Sequence, residues 1–289
     1  MKSRYRAEMI LILTTLIAGA GWVFSKQSIV ELPPLGFIGS RFLLAALILL
    51  PFCRKELKAL GWAHILRAMM VGCFMASALF CWIFAVSVSD TLGEGAFIMS
   101  LSMLIVPLVA WVMTGTAPPR SFWLALPMAL VGLLLISSAT GWQFDLSQLW
   151  FLMAAIGFSI HFNLNRIYVA KISPILLTSL QLLTTGSLGL LLSYHLETWP
   201  ETVSHNTWAW FTCSVIIATS LRYLLQTTGQ KLVESTNAAL IMLLEPIWTL
   251  LLSILVYGET LPVSKMIGCA ILLSALIFFR FSTMSKAAR

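Results

Sequence analysis

Apolar runs of about 20 residues, each able to cross a roughly 30 Å hydrocarbon core as a helix rising about 1.5 Å per residue, recur along the whole of this 289-residue chain. Ten are distinguishable, near 9–30, 35–53, 64–86, 91–114, 121–138, 147–171, 172–195, 207–228, 236–257 and 262–281, and their connections hold about a dozen residues at most. Hydrocarbon offers no water to the backbone, so every N–H and C=O in such a run must pair within its own segment, which dictates helix. Composition agrees: 10% of residues are charged, against about 25% in an ordinary soluble domain. The expectation is an all-α integral membrane protein of ten transmembrane helices with no soluble domain.

The first run invites comparison with a cleaved leader. "MKSRYR" is basic, "MILILTTLI" is apolar, and "AGA" at 18–20 resembles a cleavage site. The apolar helix nevertheless continues through Trp22, Val23 and Phe24, so its retention is expected. With a cytoplasmic N-terminus, 15 of the 18 Lys and Arg residues fall on the inner side, and among the outer connections only Lys265 carries such a charge. That asymmetry predicts a multi-pass protein of the inner (plasma) membrane with both termini cytoplasmic. The net charge of +7 then reports topology and contact with anionic lipid, and nucleic acid is not an expected partner. Cys53, Cys73, Cys81, Cys213 and Cys269 form no CxxC pair, so neither metal nor disulfide is expected. Without a phosphate-binding glycine loop, a nucleophile elbow or HExxH, no enzyme activity and no cofactor are expected.

The second half reads as a degenerate copy of the first, dividing the chain into 1–143 and 144–289. "SDTLGEGAFIMSL…VPLVAWVMTGTAPP" (89–119) echoes "ESTNAALIML…EPIWTLLLSILVYGETLP" (234–262), with Gly115 matching Gly258 and Pro119 matching Pro262 at one spacing. Pro107 and Pro246 differ from that spacing by about one turn, through paired indels or a real displacement. Five spans per half is an odd number, so the copies insert with opposite orientation. Inverted repeats are a transporter pattern, with the binding site near the midplane between the halves.

The segment "NAALIMLLEPIWTLLLSILVYGETLPVSKMIGCAILLSALI" (237–277), with Ala238-Ala239, Glu245-Pro246, Gly258-Glu259 and Gly268, resembles the closing helix pair of the drug/metabolite transporter superfamily, EamA type. "EGAFIMSLSMLIVPLVAW" (94–111) is similar to the fourth helix and Arg41-Phe42 to the second, whereas Gly115-Thr116 stands where a Gly-Glu would repeat. The resemblance implies ten helices in two inverted halves, a central cavity and movement of a small metabolite, often outward. Family substrates range from amino acids to nucleotide sugars and drug-like amines, so the substrate does not carry over.

Polar residues within the spans mark a pathway or a structural pair. Glu245 and Arg222 fall at similar depth on consecutive spans, roughly 13 and 9 Å from the inner end at about 1.5 Å per residue, and are expected to pair. The pair is either a structural staple or part of the substrate site; the recurrence of Glu-Pro among relatives with unlike substrates suits the staple. Ala154, Gly157, His161 and Asn165 form a small, polar stripe on span six that lines a cavity or packs on a neighbour, with Phe158 and Ile160 off it. Thr178, Gln181 and Thr185 form a weaker stripe on span seven. The candidate cavity set is thus Trp22, His161, Asn165, Gln181, Arg222 and Glu245. Lys26 and Arg41 either snorkel outward or, with Glu94 as counter-ion of Arg41, make an outer gate opposite Arg166, Arg222 and Glu245; Pro107 and Pro246 are candidate kinks. The functional expectation is a transporter of a small molecule, monomeric or homodimeric. An ion-uncoupled facilitator and a non-transporting membrane subunit remain the alternatives.

Overall fold

Among the described residues the apolar runs are helical, and none is a strand. The structure, a computed structural model, describes residues 2–115, 117–118, 120–138, 145–232, 241–242, 244–258 and 262–287. The helices of the first half are α1 (Lys2–Ser28), α2 (Pro34–Leu49), the short α3 (Arg54–Ala59), α4 (Trp62–Val88), α5 (Leu92–Ser100), α6 (Ser102–Thr114) and α7 (Arg120–Ser138). Those of the second half are α8 (Leu146–Val169), α9 (Pro174–Leu196), α10 (His205–Val215), α11 (Arg222–Leu232), α12 (Glu245–Tyr257) and α13 (Val263–Ala287). A π-helical segment, Ile216–Leu221, joins α10 to α11 without a break.

Six described stretches are long and apolar enough to cross a membrane: Glu8–Ser28, Pro34–Ala59, Trp62–Val88, Leu92–Met113, Pro174–Leu196 and His205–Gly229. Arg120–Gly132, Glu245–Tyr257 and Met266–Phe279 are apolar but shorter. The 24-residue α8 stands outside both groups. Gln148, His161, Asn163, Asn165 and Arg166 account for this, since each lowers its apolarity.

Helix contacts come in corresponding pairs. α2 packs on α9, and α7 on α13. The contact of α4 with α8 is answered by that of α1 with α10 and α11, and that of α5 and α6 with α8 by that of α1 with α12. The α2–α9 contact is close because it is made by glycine: a Cβ on Gly39 would stand 2.4 Å from the Leu190 nitrogen, and one on Gly186 2.3 Å from that of Leu43. In lipid, helices gain little hydrophobic driving force from meeting, so such backbone approach supplies the packing. A carboxylate secures each end. Glu197, following α9, accepts from the first amides of α2, Leu35 and Gly36, both at 2.8 Å. Glu56, following α2, accepts from the hydroxyl of Ser173 at the start of α9.

One spacing relates α6 to α12. Leu101 N–H reaches back three residues to Ile98 O at 3.0 Å, and Leu244 N–H to Ile241 O at 3.0 Å. Each is followed by a helix of 13 residues that ends on a left-handed glycine, Gly115 (φ 73°) or Gly258 (φ 65°). Both landmarks are 143 positions apart, so in space Glu245 corresponds to Ser102 and Pro107 to Leu250. The prolines are therefore displaced by one turn. Pro107 lies inside α6, where a kink is expected. Pro246 is placed differently with respect to its described helix. It sits in the first turn of α12, where a missing N–H costs nothing because that amide has no intrahelical partner.

Candidate functional site

Helices α1, α2, α4, α5, α6, α8, α11 and α12 surround a cavity of about 150 Å³. That volume holds several waters, since one needs about 10–15 Å³ by the same kind of measure. Its lining comes from both halves: Trp22, Arg41 and Trp82 on one side, His161, Asn165, Arg222 and Glu245 on the other. Aromatic rings form much of the wall, with Trp22 and Trp82 edge to face at 5.2 Å between centroids.

Glu245 is the carboxylate of this lining. Its Oε1 accepts from Trp22 Nε1 at 3.2 Å and its Oε2 from Arg222 Nη2 at 3.4 Å. The expected pair is thus present, but loosely. Arg222 and Glu245 keep 19% and 21% of their side chains exposed. Arg222 also lies against the Tyr223 ring, 4.9 Å from its centroid, and its buried Nε has no hydrogen-bond partner. Gln226, one turn further along α11, presents a buried Oε1 that is likewise without a partner. A pair this open to the cavity is within reach of a solute, which a sealed staple is not.

Arg41 is only 4% exposed yet lines the same cavity. Its Nε donates to Thr219 Oγ1, Nη1 to Ser25 Oγ at 2.8 Å and Nη2 to Ala218 O at 3.1 Å. Two of these partners belong to the π segment, whose wide turn presents Thr219 Oγ1 and Ala218 O to the guanidinium. Thr219 and Ser220 in turn donate five residues back, to Ser214 O at 2.8 Å and Val215 O at 2.9 Å. Single π turns inside α-helices concentrate at functional sites.

Gln181 does not line the cavity. It stands behind it, accepting from His161 Nε2 at 2.8 Å and donating to Asn165 Oδ1 at 2.8 Å, so it orients two residues that do. Because a carboxamide oxygen only accepts, the proton on this bond belongs to His161 Nε2. The α2 and α9 helices both begin on a proline, Pro34 and Pro174, and counting from these places Arg41 and Gln181 at equivalent positions. The same spacing of 140 equates Ser25 with Asn165, so the Arg41–Ser25 bond is the counterpart of the Gln181–Asn165 bond.

The remaining expected residues divide. The span-six stripe splits: Gly157 packs on Ala78 of α4, while His161 and Asn165 line the cavity. Phe158, placed off the stripe by sequence, lines the cavity too, because the lining face is wider than a line of i, i+4 positions. Thr178, Gln181 and Thr185 bond to Thr227, to α8 and to Gly72 O, so the span-seven stripe joins helices. Arg41 is not held by Glu94; Glu94 accepts from Gln148 Nε2 at 2.6 Å and Thr91 Oγ1 at 3.2 Å. Lys26 donates to Val86 O and Ser89 O at the end of α4. Arg166 is exposed and does not join Arg222 and Glu245, because its position on α8 faces away from the cavity. Trp82, Ser102, Tyr223 and Gln226 were missed. For the last two the signal was available: Arg222, Tyr223 and Gln226 recur at helical spacing on an apolar span.

A model of the EamA-like transporter family matches residues 6–138 and again residues 146–281. The chain belongs to the EamA-like transporter family. This EamA protein is a multi-pass membrane transporter and not an enzyme, in accord with its resemblance to the drug/metabolite transporter superfamily. An Archaeoglobus fulgidus protein described as an uncharacterized transporter is 24% identical over 93% of this chain and 94% of its own. A Bacillus subtilis protein described in the same words is 24% identical over 98% of this chain and 93% of its own. A solved crystal structure superposes on 95% of the EamA chain and 96% of its own with a TM-score of 0.69 at 15% identity, a likeness of fold.

Proposed function

We propose that the protein exports a small metabolite, an amino acid or amino-acid-like compound, across the inner (plasma) membrane by alternating access. The observation that carries this reading is the cavity, walled by both halves and lined by Arg, Glu, His and Asn side chains that a purely structural subunit would have no reason to keep there. The six long apolar stretches, the three shorter ones and α8 supply ten spans, taken as two inverted five-helix halves, 1–143 and 144–289. The corresponding helix contacts and the 143-residue spacing of the α6 and α12 landmarks support the repeat. Cytoplasmic termini rest on the Lys and Arg asymmetry, and outward transport on the habit of the superfamily. Trp22, His161, Asn165, Arg222 and Glu245 contact the substrate. Gln181 positions His161 and Asn165, while Lys26 and Glu94 brace the ends of α4 and α5.

In a background lacking the five native cysteines, single cysteines at Phe158, His161 and Asn165 should react with a small hydrophilic thiol reagent in whole cells. A metabolite mixture should protect them. Cysteines at Ile160 and at the exposed Ile156 should react far less. Equal reactivity and equal protection at all five positions would exclude a hydrated cavity. A metabolite-pool exchange screen in reconstituted vesicles would then identify the substrate.

A further inference from the structure

Among the described residues that line the cavity there are two guanidiniums, of Arg41 and Arg222, and a single carboxylate, that of Glu245. The three charges leave one positive charge over. Its location is clear, because Glu245 is already engaged by Arg222 and by Trp22, whereas Arg41 is bonded only to neutral oxygens. Those bonds use three of the five N–H groups of a planar fork, and two remain in a side chain that lines the cavity. An ionised group in a water-poor interior is tolerated when a counter-charge or water reaches it.

The equivalent position in the second half sharpens the point. There the residue is Gln181, which makes the same kind of bond to Asn165 that Arg41 makes to Ser25. A neutral amide therefore meets the architectural need at this place in the fold. The charge of Arg41 has another use. Around it the wall is aromatic: Phe42, Trp22, Trp82, Phe158 and Tyr223.

We infer that the transported solute is a small organic monoanion with a flat apolar body, whose carboxylate or similar oxyanion is held by the two remaining N–H groups of Arg41. A guanidinium fork matches a carboxylate in geometry as well as charge. The inference rests on the transporter reading and narrows its substrate class: an amino-acid-like compound would enter with its amine blocked, or with a second carboxylate, and not as a simple zwitterion.

Three probes share one aromatic body and differ in charge: 3-phenylpropanoate (−1), phenylalanine (0) and 2-phenylethylamine (+1). Calorimetric titration of the purified full chain should give 3-phenylpropanoate at least about tenfold tighter binding than phenylalanine, and no binding of the amine; tenfold is the scale of one charge-assisted hydrogen bond. Arg41→Gln should abolish the preference for the anion, and Arg41→Lys should keep part of it. The wild-type ranking stands as a test even if a variant fails to fold. Binding of phenylalanine or the amine as tightly as the anion would overturn the inference, as would no binding of the anion at millimolar concentration, or anion affinity unchanged in folded Arg41→Gln. Exchange of phenylalanine through vesicles without anion preference would sink this inference while leaving alternating access intact. Failure of cysteine accessibility would sink the transporter reading itself.

Discussion

Trp22 and Glu245, 223 positions apart, meet in the cavity wall through a 3.2 Å hydrogen bond from the indole nitrogen to Oε1. Their contact places α1 against the start of α12, where Gly19 lets the Trp248 backbone approach. It leaves the other carboxylate oxygen to Arg222 at 3.4 Å. A carboxylate shared between the halves, and partly exposed to the space between them, is placed to sense what enters.

Glu245→Gln should therefore impair transport more than stability. The amide retains an acceptor for Trp22, and Arg222 keeps the Tyr223 ring. With both charges partly exposed, the loss in stability should be about 1 kcal/mol or less. Vesicle exchange should fall at least about tenfold, the equivalent of roughly 1.4 kcal/mol of binding. Melting in detergent together with an exchange assay decides the matter. A staple would show the reverse: a marked stability loss in Glu245→Gln, recovered by neutralising Arg222 as well.

Gly39→Ala should weaken the α2–α9 pair, because the new methyl would stand 2.4 Å from the Leu190 nitrogen and 2.7 Å from the Gly189 carbonyl carbon. Backbone cannot yield as a flexible side chain does, so a loss of about 1–3 kcal/mol is expected, with Gly39→Leu preventing assembly. Thermal melting of the purified variant that matched the wild type would contradict this close packing.

Topology can be tested with reporters. A fusion after Arg289 should be cytoplasmic, and one within 196–206 should be on the outer side, given the skew of Lys and Arg. Both fusions reporting one side would break the five-plus-five arrangement.

Glu31, in the connection after α1, accepts from Ser204 N–H at 2.7 Å, and this backbone bond is the main cause of its lowered pKa. A carboxyl with a folded pKa below its unfolded value stabilises fully above the unfolded value, about 4.3, and loses that contribution as pH falls through the folded one. The melting difference between wild type and Glu31→Gln should accordingly be constant near neutral pH and vanish in strong acid. A difference that grew on acidification would contradict the assignment.

The helical character of the apolar runs, the Arg222–Glu245 pair and the EamA resemblance with its two matched halves were legible in the residues alone. Apolarity and motif are local properties that act on each segment before any tertiary contact forms. The facing of each polar side chain was not legible. A membrane helix is apolar toward lipid and toward its neighbours, so its pattern carries little signal for rotation about its axis. Packing decided that Gln181 stands behind the cavity while Phe158 lines it, that Arg166 turns outward, and that Arg41 is held by the π segment and not by Glu94. It also decided that Pro246 falls in the first turn of α12 while Pro107 lies within α6, because the preceding turn ends at Leu244 in one half and at Leu101 in the other, and no local propensity marks either leucine as a break.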